Sequence, residues 1–233
     1  NRSRWVGRAH RRRGLHFAAS GSGVDFFDGE TGDLAWQSGS FVAQWSIQDH
    51  VIVHHRGEDL SDSWTSVVLD PETGSTRWET AGFLEECNGG GLVSITEPNE
   101  TDDAAATAFT DDGAELWSTS LPSAVDAMSC STDVLAGLAV DGDTEAWNSD
   151  RLMVLDMGDG TELSDVAAIA PGVQLAYGVA VFGRDVFAIR DGLVTRLAIS
   201  SDSAEVVWTA DFGPWPGIAD DPGSLHGVLV DGD

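Results

Sequence analysis

Short runs of alternating apolar and polar residues recur along the chain. Examples are Val51-Ile-Val-His-His55, Ser66-Val-Val-Leu-Asp70, Leu92-Val-Ser-Ile-Thr96, Val134-Leu-Ala-Gly-Leu-Ala-Val140 and Val186-Phe-Ala-Ile-Arg190. A two-residue period sends successive side chains to opposite faces, so each run predicts a half-buried β-strand. No segment carries the 3.6-residue period of an amphipathic helix. The expected protein is all-β, with its turns carried by the glycines and aspartates between the runs.

Those turns repeat. Residues 28–36 read Asp-Gly-Glu-Thr-Gly-Asp-Leu-Ala-Trp and residues 70–78 read Asp-Pro-Glu-Thr-Gly-Ser-Thr-Arg-Trp. Each has an aspartate, a glycine four residues on and a tryptophan eight residues on. Three weaker copies follow. Thr110–Trp117 is one residue shorter, Asp156–Ser164 has lost the tryptophan, and Ser200–Trp208 keeps the tryptophan without the central glycine. At Gly32, Gly74, Gly113 and Gly160 the absence of a Cβ permits the positive φ that a tight turn demands.

Aligned on the tryptophan position (36, 78, 117, 164, 208), the copies stand 42, 39, 47 and 44 residues apart. That is the length of one four-stranded blade of a β-propeller. The expected units are residues 14–38, lacking a first strand, then 41–80, 81–121, 122–166 and 167–212. A partial sixth begins at 213 and carries Gly227-Val-Leu-Val230. Each blade buries its faces against its neighbours, so an open arc would leave apolar surface wet. The expectation is therefore a piece of a larger ring, or a chain in which residues 213–233 complete the first blade.

The pattern Leu69-Asp-Pro-Glu-Thr-Gly-Ser-Thr-Arg-Trp78, nearly repeated from Phe27 to Trp36, resembles the repeat of the pyrroloquinoline-quinone (PQQ) type of propeller. The resemblance covers about residues 14–212. It implies that Trp36, Trp78, Trp117 and Trp208 are structural, each packing against the turn of a neighbouring blade. It also implies two possible activities. One branch of the family comprises quinoprotein dehydrogenases that hold PQQ and calcium in the central channel. The other contains non-enzymatic relatives, such as the propeller lipoprotein of the bacterial outer-membrane assembly machinery. The dehydrogenases carry adjacent cysteines against the cofactor, an aspartate base, and carboxylate and asparagine ligands for the metal. This chain has no Cys-Cys pair and no segment that matches the base or the ligands.

Charge narrows the partners. Among 233 residues, 39 acidic side chains face 12 basic ones, for a net charge of −27. All the basic residues are arginines, and Arg2, Arg4, Arg8, Arg11, Arg12 and Arg13 form a basic head with no acidic residue in it, expected as a disordered tail. Such a field repels a phosphate backbone, so nucleic acid is excluded as a partner. The acidity reads as a solvated surface, from a salt-rich habitat or from genome composition, ahead of a surface that captures cations or basic partners. Residues 166–183 are uncharged over a span long enough to cross a bilayer, but Pro171, Gly172, Gln174 and Gly178 favour two strands about a turn.

Few side chains offer chemistry. Cys87 and Cys130 occupy comparable places in successive units, each a few residues before the second strand of its blade. They read as a cross-blade disulfide near the inner rim, closing a loop of about 40 residues, stabilising by roughly 2–4 kcal/mol and marking an oxidising compartment. Two small buried thiols are the alternative. His54 and His55 are adjacent on a strand and face opposite ways, which denies them a shared metal. Asp141-Gly-Asp-Thr-Glu145 presents oxygen ligands on alternate residues but lacks the rest of a calcium loop, and Asp111-Asp-Gly113 is weaker still; both read as solvated turns. Asp220-Asp-Pro-Gly223 is a turn, and Asn99-Glu-Thr101 a glycosylation triplet.

The resulting expectation is a non-enzymatic, extracytoplasmic propeller that binds a protein or peptide through its loops or central channel, with no cofactor. The basic head leaves room for a membrane anchor outside the sequence. The alternative is part of a PQQ- and calcium-dependent alcohol or sugar dehydrogenase.

Overall fold

The computed structural model describes residues 15–20, 23–28, 31–37, 44–47, 50–56, 64–97, 103–121, 124–140, 151–163, 178–190, 193–201 and 203–212. The basic head, the Asn99 triplet, the 141–145 and 220–223 turns, most of the 166–183 stretch and the partial unit at 213–233 lie outside them. The described residues contain eighteen strands and no helix. No helix here is thus long and apolar enough to cross a membrane.

The strands form five antiparallel sheets in which each strand lies beside the one before it in sequence. The first sheet holds β1 (Leu15–Ser20), β2 (Gly23–Asp28) and β3 (Leu34–Gln37). The second holds β4 (Gln44–Ile47), β5 (Val51–Arg56), β6 (Trp64–Leu69) and β7 (Thr76–Ala81). The third holds β8 (Phe83–Glu86), β9 (Leu92–Thr96), β10 (Ala105–Phe109) and β11 (Glu115–Ser120). Three strands make the fourth sheet: β12 (Ala124–Cys130), β13 (Val134–Val140) and β14 (Arg151–Asp156). There the Leu163 amide donates to Val154 O, and Leu155 bridges Glu162, placing a short fourth segment beside β14. The fifth sheet holds β15 (Gly178–Phe182), β16 (Asp185–Arg190), β17 (Leu193–Ile199) and β18 (Ala204–Asp211).

The chain divides into two compact units. The first comprises Asn1–Glu86, Leu92–Thr96 and Thr110–Ala114; the second comprises Cys87–Gly91, Glu97–Phe109 and Glu115–Asp233. In the first unit Phe26 packs with Val51, Val53, Val67 and Leu69, with half-buried Trp36 against them. In the second, Val134, Ala136, Leu138, Leu152 and Val154 meet Val181, Val186, Ala188, Leu197 and Ile199. In both, alternate residues of one sheet pack on alternate residues of the next, which is why the two-residue period is so clear in the sequence.

A bulge recurs before the tryptophan strand. Pairing steps from Phe27↔Leu34 to Phe26↔Trp36, from Leu69↔Thr76 to Val68↔Trp78, from Phe109↔Glu115 to Ala108↔Trp117, and from Leu197↔Val206 to Arg196↔Trp208. In each hairpin one extra residue immediately precedes the tryptophan, and a bulge of this kind re-aims the side chain that follows it.

Candidate functional site

The repeated turn is built by its first residue. The Asp70 carbonyl accepts the Gly74 amide at 2.8 Å and the Asp70 amide donates to Ser75 O at 2.8 Å. Asp70 Oδ1 accepts the amides of Glu72 and Thr73 at 3.0 and 2.9 Å and the Thr73 hydroxyl at 3.0 Å. Hydrogen bonds from the Thr73 hydroxyl and amide hold the Asp70 carboxyl below its ordinary pKa. Asp28 and Asp156 repeat the backbone pattern. In the shorter third copy Thr110 replaces the aspartate, its hydroxyl accepting the Ala114 amide at 3.0 Å.

Each of the first three tryptophans seats on the turn of the next copy. The Trp36 indole covers Gly74 and donates Nε1–H to Pro71 O at 3.0 Å. Trp78 covers Gly113 and donates to Asp111 O at 3.2 Å, and Trp117 covers Gly160 and donates to Met157 O at 2.8 Å. The acceptor is always the residue after the first of the turn. Gly74, Gly113 and Gly160 have φ of 70°, 85° and 74°. A Cβ on any of them would stand about 2.5–2.6 Å from the indole, so these glycines are required by close approach as well as by φ.

Gly32 and Trp208 differ from the rest of the set. Gly32 has φ 75°, yet a Cβ there would meet nothing within 4 Å. Trp208 is 38% exposed, seats on no turn glycine among the described residues and contacts Phe187 at 6.1 Å between ring centroids. Its cross-strand partner is Arg196, which is bound to Asp185 at 2.8 Å.

The two cysteines form a disulfide, both almost fully buried. It joins the loop after β8 to the end of β12, within the second unit. Around it the Asn88 amide donates to Cys130 O at 2.9 Å, Asn88 Nδ2 to Val181 O at 3.1 Å, and the Ser131 hydroxyl to Gly183 O at 2.6 Å. Both thiols are thereby consumed in a structural role.

The first unit buries polar groups that no repeat announces. Ser66 is wholly buried. Its hydroxyl donates to Gly82 O at 2.7 Å and accepts the Leu84 amide at 2.9 Å, while His54 Nδ1 lies 2.8 Å from the same oxygen. With the serine proton committed to Gly82, the imidazole donates from Nδ1 and is neutral. Burial, with the ring stacked on Phe83, lowers the His54 pKa to about 4. A serine beside a histidine can suggest a nucleophile and its base. This one has no exposure, and its proton points at a carbonyl. His55, on the opposite strand face, is half-buried.

Glu85 and Glu86 are adjacent on β8 and so face opposite ways. Burial pushes the Glu85 carboxyl up to about 7. Glu86 is buried and holds the turn before β5: Oε2 accepts the His50 amide at 3.0 Å, and Oε1 lies 3.3 Å from His50 Nδ1. Among the described residues no group of three His, Cys, Asp or Glu side chains is placed to hold a metal ion.

No family model and no curated protein matches the chain. Solved structures do. BamB from Moraxella catarrhalis aligns over 87% of this chain and 62% of its own, at 16% identity and TM-score 0.55. The Neurospora crassa Pan2 WD40 domain aligns over 84% and 62%, at 12% identity and TM-score 0.54. A quinohemoprotein alcohol dehydrogenase from Pseudomonas putida aligns over 87% and 41%, at 12% identity and TM-score 0.51. The chain thus spans less than two thirds of the length of each of these proteins. At such identities the likeness concerns the fold, and with the all-β architecture of antiparallel three- and four-stranded sheets it makes the chain a β-propeller.

Proposed function

We propose that this chain is a non-enzymatic, extracytoplasmic binding propeller that engages a protein or peptide through its loops or central channel. The observation that carries the reading is the commitment, among the described residues, of the cysteines, Ser66, His50 and Glu86 to structure. The cysteines are joined to each other, the Ser66 hydroxyl serves three backbone and ring partners, and the His50 and Glu86 side chains bind one another. The disulfide supports an oxidising compartment. The likeness to BamB and to a WD40 domain supports a scaffold role at the level of fold alone.

The likeness to a quinohemoprotein dehydrogenase favours one alternative, part of a PQQ-dependent oxidoreductase. The purified protein, incubated with PQQ and calcium, decides between them. The binding reading expects no quinone absorbance retained after gel filtration and no dye-linked oxidation of alcohols or sugars. Turnover would overturn it. Cross-linking on intact cells followed by mass spectrometry is expected to return one recurrent protein partner at loop residues.

A further inference from the structure

His50 stands between two acidic groups that belong to different elements of the first unit. Nδ1 is 3.3 Å from Glu86 Oε1, at the end of β8, and Nε2 is 4.0 Å from Asp111 Oδ1, in the third repeat turn. The His50 and Glu86 side chains are 9% and 3% exposed, while Asp111 is 84% exposed. Nδ1 is buried and has no directed hydrogen-bond partner, so its compensation is the charge of the nearby carboxylate. Asp111 is also the residue whose carbonyl accepts the Trp78 indole N–H, and Gly113 of the same turn lies under that indole. The imidazole thus touches both the strand that anchors it and the turn on which a repeat tryptophan seats.

We propose that His50 is a proton-controlled latch: as imidazolium it ties the turn Thr110–Ala114 to Glu86 and keeps that turn seated under Trp78, and on losing its proton it releases the turn. The bridge needs the cation, because both contacts are ion pairs, at 3.3 and 4.0 Å, and a neutral imidazole offers neither carboxylate a charge. Glu86 and Asp111 both favour the charged ring. Burial opposes it, as does the Arg77 guanidinium, which is itself 3.4 Å from Asp70. The contact with Glu86 is the largest influence and leaves the His50 pKa above its ordinary value. The remaining acid of the turn, Asp112, is engaged by the Thr110 hydroxyl. The latch closes at acidic pH and opens as pH rises through the elevated pKa.

Hydrogen exchange read by mass spectrometry tests this. Protection of the peptide spanning residues 110–114 is compared at pH 5.5 and 8.5 after correction for intrinsic exchange. The expected result is a severalfold fall in the wild type on going from pH 5.5 to 8.5. His50→Gln should abolish the fall. Because His50→Gln also disturbs a buried site, Asp111→Asn, at a solvent-exposed side chain, supplies the second variant and should shrink the fall while leaving the fold intact. Equal protection at both pH values in the wild type would overturn the proposal. So would an undiminished fall in either variant.

Discussion

The Trp78 indole lies so close to Gly113 that a Cβ on that residue would stand 2.6 Å from Cγ of the ring. Neither group can yield cheaply. The glycine is held at φ 85° by its turn, and the indole is pinned by its bond to Asp111 O. The contact predicts a graded glycine series. Gly113→Ala should destabilise the protein by about 2–4 kcal/mol, combining left-handed strain with the steric clash. Gly32→Ala, with the same sign of φ and open space around it, should cost only about 1 kcal/mol. Urea unfolding midpoints of the two variants check this, and equal losses would refute the seating geometry.

The tryptophans should separate in the same way. Trp117→Phe removes the bond to Met157 O and part of the cover on Gly160, for an expected loss of about 1–3 kcal/mol. Trp208→Phe should lose well under about 1 kcal/mol, since that side chain is 38% exposed and seats on no described turn. Thermal unfolding monitored by circular dichroism gives both numbers.

Two groups make opposing contributions to the pH dependence. Folding lowers the His54 pKa from 6.5 to about 4, so the unfolded chain takes up the proton first and stability falls as pH drops through that window, by about 3 kcal/mol in all. Folding raises the Glu85 pKa from 4.5 to about 7, so its stabilisation is complete at low pH and is lost as pH climbs through that range. Between about pH 4.5 and 6.5 the two nearly cancel. Glu85→Gln removes one of them. Relative to the wild type, its stability should rise by about 1.4 kcal/mol per pH unit across this interval. Parallel wild-type and mutant profiles in urea titrations at pH 4.5, 5.5 and 6.5 would refute the burial of Glu85.

Breaking the disulfide by the double substitution Cys87→Ala and Cys130→Ala is expected to lower stability by about 2–4 kcal/mol. In the intact protein a digest made without reductant should yield the peptides of Cys87 and Cys130 as one linked species. Because both residues are nearly inaccessible, reduction should require denaturant.

How much of this was legible depends on whether a residue recurs. Asp70, Gly74 and Trp78 stand out because the same physical task, a capped tight turn followed by a bulge and a seated indole, is performed several times at nearly fixed spacing. Alternation exposed the strands for the same reason: every sheet buries a face. The direction of seating, from each of Trp36, Trp78 and Trp117 to the turn of the following copy, is a tertiary relation that spacing does not encode. His50 with Glu86, and His54 with Ser66, occur once each. Ser66 reads as an ordinary polar position in a β-strand, and only its position beside Gly82 O and the Leu84 amide makes it a three-way junction. Glu85 and Glu86 look alike in sequence, yet one is paired with a histidine and the other titrates near neutrality.

The bond between Cys87 and Cys130 encloses the Gly-rich loop, β9, β10, β11 and nearly all of β12 in one covalent ring. A protease that cuts once anywhere within that stretch therefore releases nothing. The nicked protein would keep its mass, apart from one added water, and would migrate as two pieces only after thiol treatment. Damage in the middle of the chain can thus accumulate without separating its two halves.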